Sequence, residues 1–372
     1  MLIIVHHLFF VSGQTINNPH GLGEFSGRLN VAVSIFFVLS GYLLFTPYVR
    51  ALLLDTPFPN THSFYLKRFV RIVPAYWVAL LLLTRINAVN FPDTSGFVRS
   101  FFLVHTFTMR NVFTGIQQTW TLAIEVFFYL CLPWIAILIR AQTRNKTSKV
   151  KLRNILGCLT ALYTFAYAYR IVFHQVHIRQ FETYRILLPA HLDTFALGML
   201  IATTVTALRV FPNLKTRHSQ LARMGPVFLF AAGAFWFWST QIGWALDLNQ
   251  SRFRIDLLGH FLYGIASVCF VFPFCLDQGT SRIVKIFGSR VCVWLGTISY
   301  GMYLWHYLFL DGHFANTYFP YRIGDMGIAT RLLVTIPGSI AIATVSYYLI
   351  ERPLIRTLGR ALQKRKIQNQ MM

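Results

Sequence analysis

Acidic residues are scarce in this sequence: 12 Asp and Glu stand against 34 Lys and Arg in 372 residues, and only 12% of the chain is charged. Soluble chains carry about 25% charged residues, so the pair of soluble domains that the length would allow is excluded. Cysteine is sparse too. Cys131, Cys158, Cys269, Cys275 and Cys292 form no CxxC pair and no Cys/His set at zinc spacing, and all lie in or beside apolar runs, where they read as packing residues. There is no Gly-rich loop ending in GK[ST], no GxSxG and no HExxH. The opening MLIIVHHLFF lacks the basic flank and small-residue cleavage site of a signal peptide.

What is abundant is apolar: 55% of residues are hydrophobic, including 35 Phe, 17 Tyr and 8 Trp, in long runs separated by short polar gaps. A net charge of +22 would point to nucleic acid in a soluble protein. Here the basic residues sit between apolar runs, so membrane topology accounts for them and nucleic acid is not an expected partner. A bilayer core about 30 Å thick needs roughly 20 apolar residues per helix. Nine runs qualify: Leu29–Phe45, Val70–Leu83, Trp120–Ile139, Ile155–Phe173, Ile186–Leu208, Pro226–Leu246, Leu257–Cys275, Val291–Leu310 and Leu332–Ile350. A tenth, Met1–Ser12, reads as a spanning helix with its beginning missing, and Phe97–Thr108 as an interfacial stretch.

The expected fold class is therefore all-α, a polytopic membrane bundle of about 10 transmembrane helices. Residues 1–355 form the transmembrane domain and residues 356–372 a basic cytoplasmic tail that lies on anionic lipid. With ten spans, most Lys and Arg fall on one side, among them Arg50, Lys67, Arg140, Lys151, Arg209 and Arg282. The positive-inside rule then places both chain ends in the cytoplasm, with the plasma membrane as the expected location.

Ionisable residues inside spans are costly and are functional candidates by default. They include His7, Glu125, His191, Asp193, His260 and His306. On the ten-span topology His7, Glu125, Asp193 and His306 all fall in the outer half of the membrane, where two carboxylates and two imidazoles can activate a hydroxyl. Structural pairing explains any one of them equally well. His260 reads as a packed or interfacial histidine. His6 and His7 lie about 100° apart on a helix, so one of them is expected to face the bundle. At the opposite boundary Lys67, Arg68 and Arg71 form a basic mouth that can hold phosphates or act as a positive-inside anchor. His306 and Asp311 match a histidine, four residues, then aspartate, but residues five apart on a helix face each other poorly, so the match reads as chance.

Taken together, the segments resemble the acyltransferase 3 family of integral membrane O-acyltransferases. The resemblance rests on VSIFFVLSGYL at Val33–Leu43, KRFVRIVP at Lys67–Pro74, WTLAIE at Trp120–Glu125 with Phe128, Tyr129 and Pro133 following, HLDTFALGM at His191–Met199, ISYGMYLWH at Ile298–His306 and SYYLIERP at Ser346–Pro353. Each motif is weak alone; six in order across nearly the whole chain are specific. The resemblance implies transfer of an acyl group, commonly acetyl, from acyl-CoA to a hydroxyl of a glycan, glycolipid or glycosylated small molecule. No bound cofactor is implied. It implies His7 as catalytic base, with Glu125 or Asp193 orienting its ring; Lys67, Arg68 and Arg71 as the donor site; and Trp120, Tyr303 and His306, which stand in the motifs, as substrate-binding residues.

There are departures. The family's arginine eleven positions before the histidine falls ahead of Met1, so the expectation is a start placed too late rather than a damaged, inactive copy. Ser34 stands where the family often has aspartate. The chain reads as the stand-alone form, with no appended hydrolase-like domain. A transporter or flippase of an acylated sugar is the competing reading, but such proteins often show repeated halves, and no repeat is visible here.

Overall fold

The computed structural model describes residues 1–17, 21–108, 114–176, 184–242, 252–277, 279, 281–310 and 327–371. Asp311 and the end of the apolar run Pro226–Leu246 lie outside the described residues. Among the described residues the structure is helical and has no strand. The helices used below are α1 Leu2–Val11, α2 Leu22–Arg28, α3 Val31–Leu54, α4 Thr61–Arg85, α5 Thr94–Phe101, α6 Trp120–Thr143, α7 Ser148–Val176, α8 Leu192–Val210, α9 Gly225–Gln241, α10 Arg252–Leu276, α11 Arg290–Trp305, α12 Ile328–Ser346 and α13 Arg352–Met371.

Six described helical segments are long and apolar enough to cross a bilayer: Leu22–Leu54, Gln117–Thr143, Ser148–Gln175, Leu188–Val210, Phe253–Leu276 and Ile328–Lys364. A seventh is added if the pair Pro212–Arg223 and Gly225–Gln241, bent by 59°, is one span. Length and composition therefore do not reach the ten spans expected from sequence. The shortfall has local causes. The 25-residue α4 carries Lys67, Arg68, Arg71 and Arg85 around its apolar stretch. α1 has 10 residues and α11 has 16, about 15 Å and 24 Å of helix. The expected interfacial stretch is the 8-residue α5, about 12 Å long, followed by a 3-10 turn at His105–Phe107. α5 is capped by Asp93 and docked on α4, where Tyr76 Oη donates to Ser100 O (2.6 Å) and Trp77 Nε1 donates to Phe101 O (2.9 Å). The basic tail is the helix α13, joined to α12 through the π turn Tyr347–Glu351.

The core joins α3, α6 and α8. Phe195 stacks on Phe37 and on Phe128, with ring centroids 4.7 and 3.9 Å apart, and all three rings are buried. α3 and α8 meet backbone to backbone. A Cβ added at Gly41 would overlap the Phe195 carbonyl, and one added at Gly198 would overlap the Val38 carbonyl. Glycine is required at both places because helices in membranes associate by close van der Waals contact. Gly41 belongs to the VSIFFVLSGYL motif and Gly198 to the HLDTFALGM motif, so two of the sequence motifs are halves of one helix contact.

Other motifs interlock the same way. Ser40 Oγ donates to Glu125 Oε1 at 2.9 Å, Tyr300 Oη donates to Ile72 O at 2.9 Å, and Arg71 Nη1 lies 3.5 Å from Glu351 Oε2. At the end of α3, Asp55 turns the chain with φ +53° and pairs with Lys151 of α7 at 2.5 Å.

Candidate active site

A cavity of about 600 Å³ opens at one end of the bundle. It is lined where α1 and α7 end and where α3, α6 and α10 begin, by His7, Arg170, Ser34, Trp120 and Asp256 among others. The volume is that of an ordinary small-ligand site.

His7 is half-buried in this wall. Its Nδ1 lies 2.8 Å from Nε2 of His306, and the two rings are nearly coplanar, edge to edge, with an interplanar angle of 2° and centroids 5.1 Å apart. His306 is fully buried, and its Nδ1 faces the carbonyl oxygens of Tyr303 (2.8 Å) and Met302 (3.2 Å). Carbonyls only accept, so His306 carries its proton on Nδ1 and, as a neutral ring, presents a lone pair on Nε2. His7 must then donate from Nδ1. Its own lone pair is left on Nε2, the atom a general base uses.

The ring of His7 is thus set by His306, not by a carboxylate. This departs from the expected cluster of His7, Glu125, Asp193 and His306, which the structure divides into three. Asp193 engages Nε2 of His260 (2.5 Å) and the backbone N–H of Thr194 (2.8 Å). Glu125 accepts from Ser40, contacts Tyr129 and lies in the field of Arg68 and Arg71. Neither orients His7. The azimuth of each side chain, which the span pattern leaves open, sends the carboxylates elsewhere.

Both His6 and His7 line the cavity, where only one was expected. His6 Nδ1 donates to Ser26 O at 2.9 Å, which ties α1 to α2. Of the three residues expected to bind substrate, Trp120 lines the cavity, while His306 and Tyr303 stand behind its wall. The Tyr303 hydroxyl pairs with Thr121 (2.5 Å) and donates to Gln118 O, and its carbonyl receives His306. The His306 ring, fixed by the main-chain carbonyls of Tyr303 and Met302, sets the orientation of the His7 ring.

Sequence reasoning passed over four charged residues of the cavity wall: Arg28, Arg170, Arg185 and Asp256. Arg170 was visible as a charge inside the apolar run Ile155–Phe173, and Asp256 as the acid just ahead of the run Leu257–Cys275. His260, expected to be a packing residue, lines the cavity and is the partner of Asp193.

The basic mouth lies deeper along α6. Arg68 sits over the rings of Tyr129 (5.7 Å) and Phe64 (5.8 Å), and Arg71 pairs with the buried Glu351. Lys67 is exposed. From Trp120 at the cavity to Tyr129 beneath Arg68 is about 14 Å of helix. The two polar sites are therefore distinct, with the Ser40–Glu125 hydrogen bond between them.

The chain is 25% identical over 346 residues to the peptidoglycan O-acetyltransferase of Listeria monocytogenes, covering 87% of this chain and 51% of that protein. It is 26% identical over 391 aligned positions to a Staphylococcus aureus protein provisionally named an O-acetyltransferase, covering 98% and 56%. A Bacillus subtilis protein provisionally named a peptidoglycan O-acetyltransferase is 24% identical over 352 residues, covering 88% and 51%. The chain spans about half the length of the curated relatives it matches. No solved structure matches it. The acyltransferase 3 family model, described as an acyltransferase domain, matches residues 1–351, and the chain belongs to that family.

Proposed function

We propose that this protein is a membrane O-acyltransferase that moves an acyl group, acetyl by analogy with the relatives' names, from acyl-CoA to a hydroxyl of a cell-surface glycan, glycolipid or glycosylated metabolite. The observation that carries this reading is the fixed tautomer of His7, whose Nε2 lone pair is the one free to serve in the cavity wall. An acceptor hydroxyl placed in the cavity gives its proton to that nitrogen as its oxygen attacks the thioester carbonyl. The C–S bond breaks, and the CoA sulfur leaves with the proton returned by His7. Arg68 and Arg71, with the exposed Lys67, form the donor site, where guanidinium groups match phosphate oxygens. Glu125 is the polar link between the donor site and the cavity, and Asp193 positions His260.

In this reading the chain crosses the plasma membrane ten times, with α4, α11 and α1 among the spans and both ends in the cytoplasm. Residues 1–355 form the transferase unit, and residues 356–372 a basic tail against anionic lipid.

The test is transfer of label from radiolabelled acetyl-CoA to glycan in isolated membranes, comparing the wild type with His7→Ala. Wild-type membranes are expected to form labelled product, and the variant to lose about 10²- to 10⁴-fold in rate, the usual contribution of a general base. Undiminished transfer by His7→Ala would overturn the assignment. Movement of an acylated sugar across the membrane with no new ester formed would favour a transporter instead.

A further inference from the structure

Away from the candidate active site, another cavity of about 650 Å³ lies between the start of α9 and the end of α10. It sits at the 59° bend between the helical segment Pro212–Arg223 and α9. Both sides of that bend line it, with Ser219 and Arg223 on one and Pro226 and Leu229 on the other. Pro273 and Phe274 of α10 also line it, and the short helix Arg282–Phe287 adds Arg282. The elements around it are fixed to one another. Gly225 lets α9 approach α10, since a Cβ there would stand 3.6 Å from the Cβ of Pro273. Phe228 of α9 meets Phe272 of α10 edge to face with ring centroids 5.3 Å apart, and Phe274 meets Phe287 in the same way at 5.0 Å, which ties the short helix to α10. The volume is that of a small-ligand site.

The cleft is amphipathic. Its apolar part, Leu229, Pro273 and Phe274, belongs to the two long apolar helices, and its cations, Arg223 and Arg282, belong to the short helices beyond their ends. Both arginines are exposed, and among the described residues neither has an ion pair. Asp277 also lines the cleft, and its Oδ2 accepts from the Ser281 N–H at 3.0 Å. The helix Lys215–Arg223 contains no acid and adds Lys215 and Arg217 nearby. The 17-residue α9 opens onto the cleft through Gly225 and Pro226, and the positive end of its dipole favours an anion there. Val227 and Phe230 leave an exposed apolar face on the same end of α9, as suits a helix bordering lipid.

We propose that this cleft binds an anionic phospholipid, with the head-group phosphate held by Arg223 and Arg282 and the start of an acyl chain lying on Leu229, Pro273 and Phe274. Guanidinium groups match phosphate oxygens, and basic pockets between helices at a membrane boundary suit anionic head groups. A soluble phosphate would use the arginines and leave the apolar wall uncovered. A zwitterionic lipid would cover that wall but bring its own cation to the arginines. An anionic lipid matches both halves of the cleft.

The test is lipid retention by the full chain, read by native mass spectrometry after release from detergent, with phosphatidylglycerol or phosphatidylcholine of the same acyl chains added. One phosphatidylglycerol is expected to be retained about 10- to 30-fold more tightly than phosphatidylcholine. Arg223→Gln together with Arg282→Gln is expected to bring phosphatidylglycerol down to the level of phosphatidylcholine. Both side chains are exposed, so folding is not at stake. Lys149→Gln together with Arg153→Gln removes two cations near the start of α7, outside the cleft, and is expected to leave the retained lipid in place. Glycerol 1-phosphate, the head group alone, is expected not to displace the lipid at about 100-fold excess, because it lacks the chain that covers the apolar wall. Equal retention of the two lipids would overturn the proposal, as would a preference that survives the Arg223 and Arg282 substitutions. An equal loss in both double variants would also overturn it, since general attraction to basic residues would then account for the binding. Displacement by glycerol 1-phosphate would overturn the lipid as occupant in favour of a soluble phosphate.

Discussion

The contact between His7 and His306 makes one nitrogen of one ring matter. Two carbonyls at Tyr303 and Met302 hold the proton of His306 on Nδ1, so the lone pair of His306 holds the proton of His7 on Nδ1 in turn. Substituting His306 by Phe keeps an aromatic ring at that place and deletes the acceptor. The Nδ1–H of His7 then has no partner there, and the ring is free to present either tautomer. His306→Phe is expected to lower kcat by about 10- to 100-fold, less than His7→Ala, with the donor KM unchanged, because the substitution disturbs the base and not the donor site. A donor KM that rises while kcat holds would contradict this. The other residue whose role can be separated is Glu351, 1% exposed and 3.5 Å from Arg71. Glu351→Gln releases Arg71 from its ionic partner. The donor KM is expected to change several-fold with kcat nearly constant, in steady-state rates measured against acetyl-CoA concentration; a fall in kcat alone would remove Arg71 from donor binding.

Helix packing sets these residues in register. Gly41 and Gly198 let α3 and α8 touch backbone to backbone, and α8 carries Asp193 while α3 carries Ser34 and Ser40. Gly198→Val would place a branched side chain where the Val38 carbonyl lies. The helices must part, and the loss is expected to be about 1–3 kcal/mol or more, seen as a lower melting temperature in detergent. Val at Gly233, where a Cβ meets nothing within 4 Å, is the control expected to leave stability nearly unchanged. At this scale the sequence was informative about order and ends. Apolar runs and motifs located the helices, while of the expected cluster of His7, Glu125, Asp193 and His306 only His7 and His306 lie in direct contact. The sequence was uninformative about azimuth. Nothing in the spacing states that Asp193 faces His260, 67 residues away, rather than His7, because a helix offers several faces and the partner lies on another element. Arg28 escaped notice for a related reason. It stands outside the apolar runs, in a short helix whose burial depends on α1 and α9.

For the molecule as a whole, the cavity and the basic groups mark opposite poles. At the pole away from the cavity Lys151 pairs with Asp55, Arg140 lies 4.9 Å from the centre of the Phe58 ring, and Arg209 donates to Cys275 O at 2.8 Å. Cytoplasmic loops collect Lys and Arg, so the proposed orientation puts the basic pole in the cytoplasm and the cavity on the outside. In the proposed function that orientation would give acyl transfer a direction, from a donor pool at the basic pole to acceptors at the outer face. It is testable by cysteine labelling in intact cells, after Cys131, Cys158, Cys269, Cys275 and Cys292 are replaced by Ser. Tyr307→Cys, in the cavity wall, is expected to react with an impermeant maleimide without permeabilisation. Asn145→Cys, in the turn between α6 and α7, is expected to react only after the membrane is opened. The reverse pattern would invert the molecule and place the acceptor in the cytoplasm. Equal labelling of both positions in intact cells would mean that the two poles are not separated by a bilayer, which would dissolve the division of donor and acceptor between them.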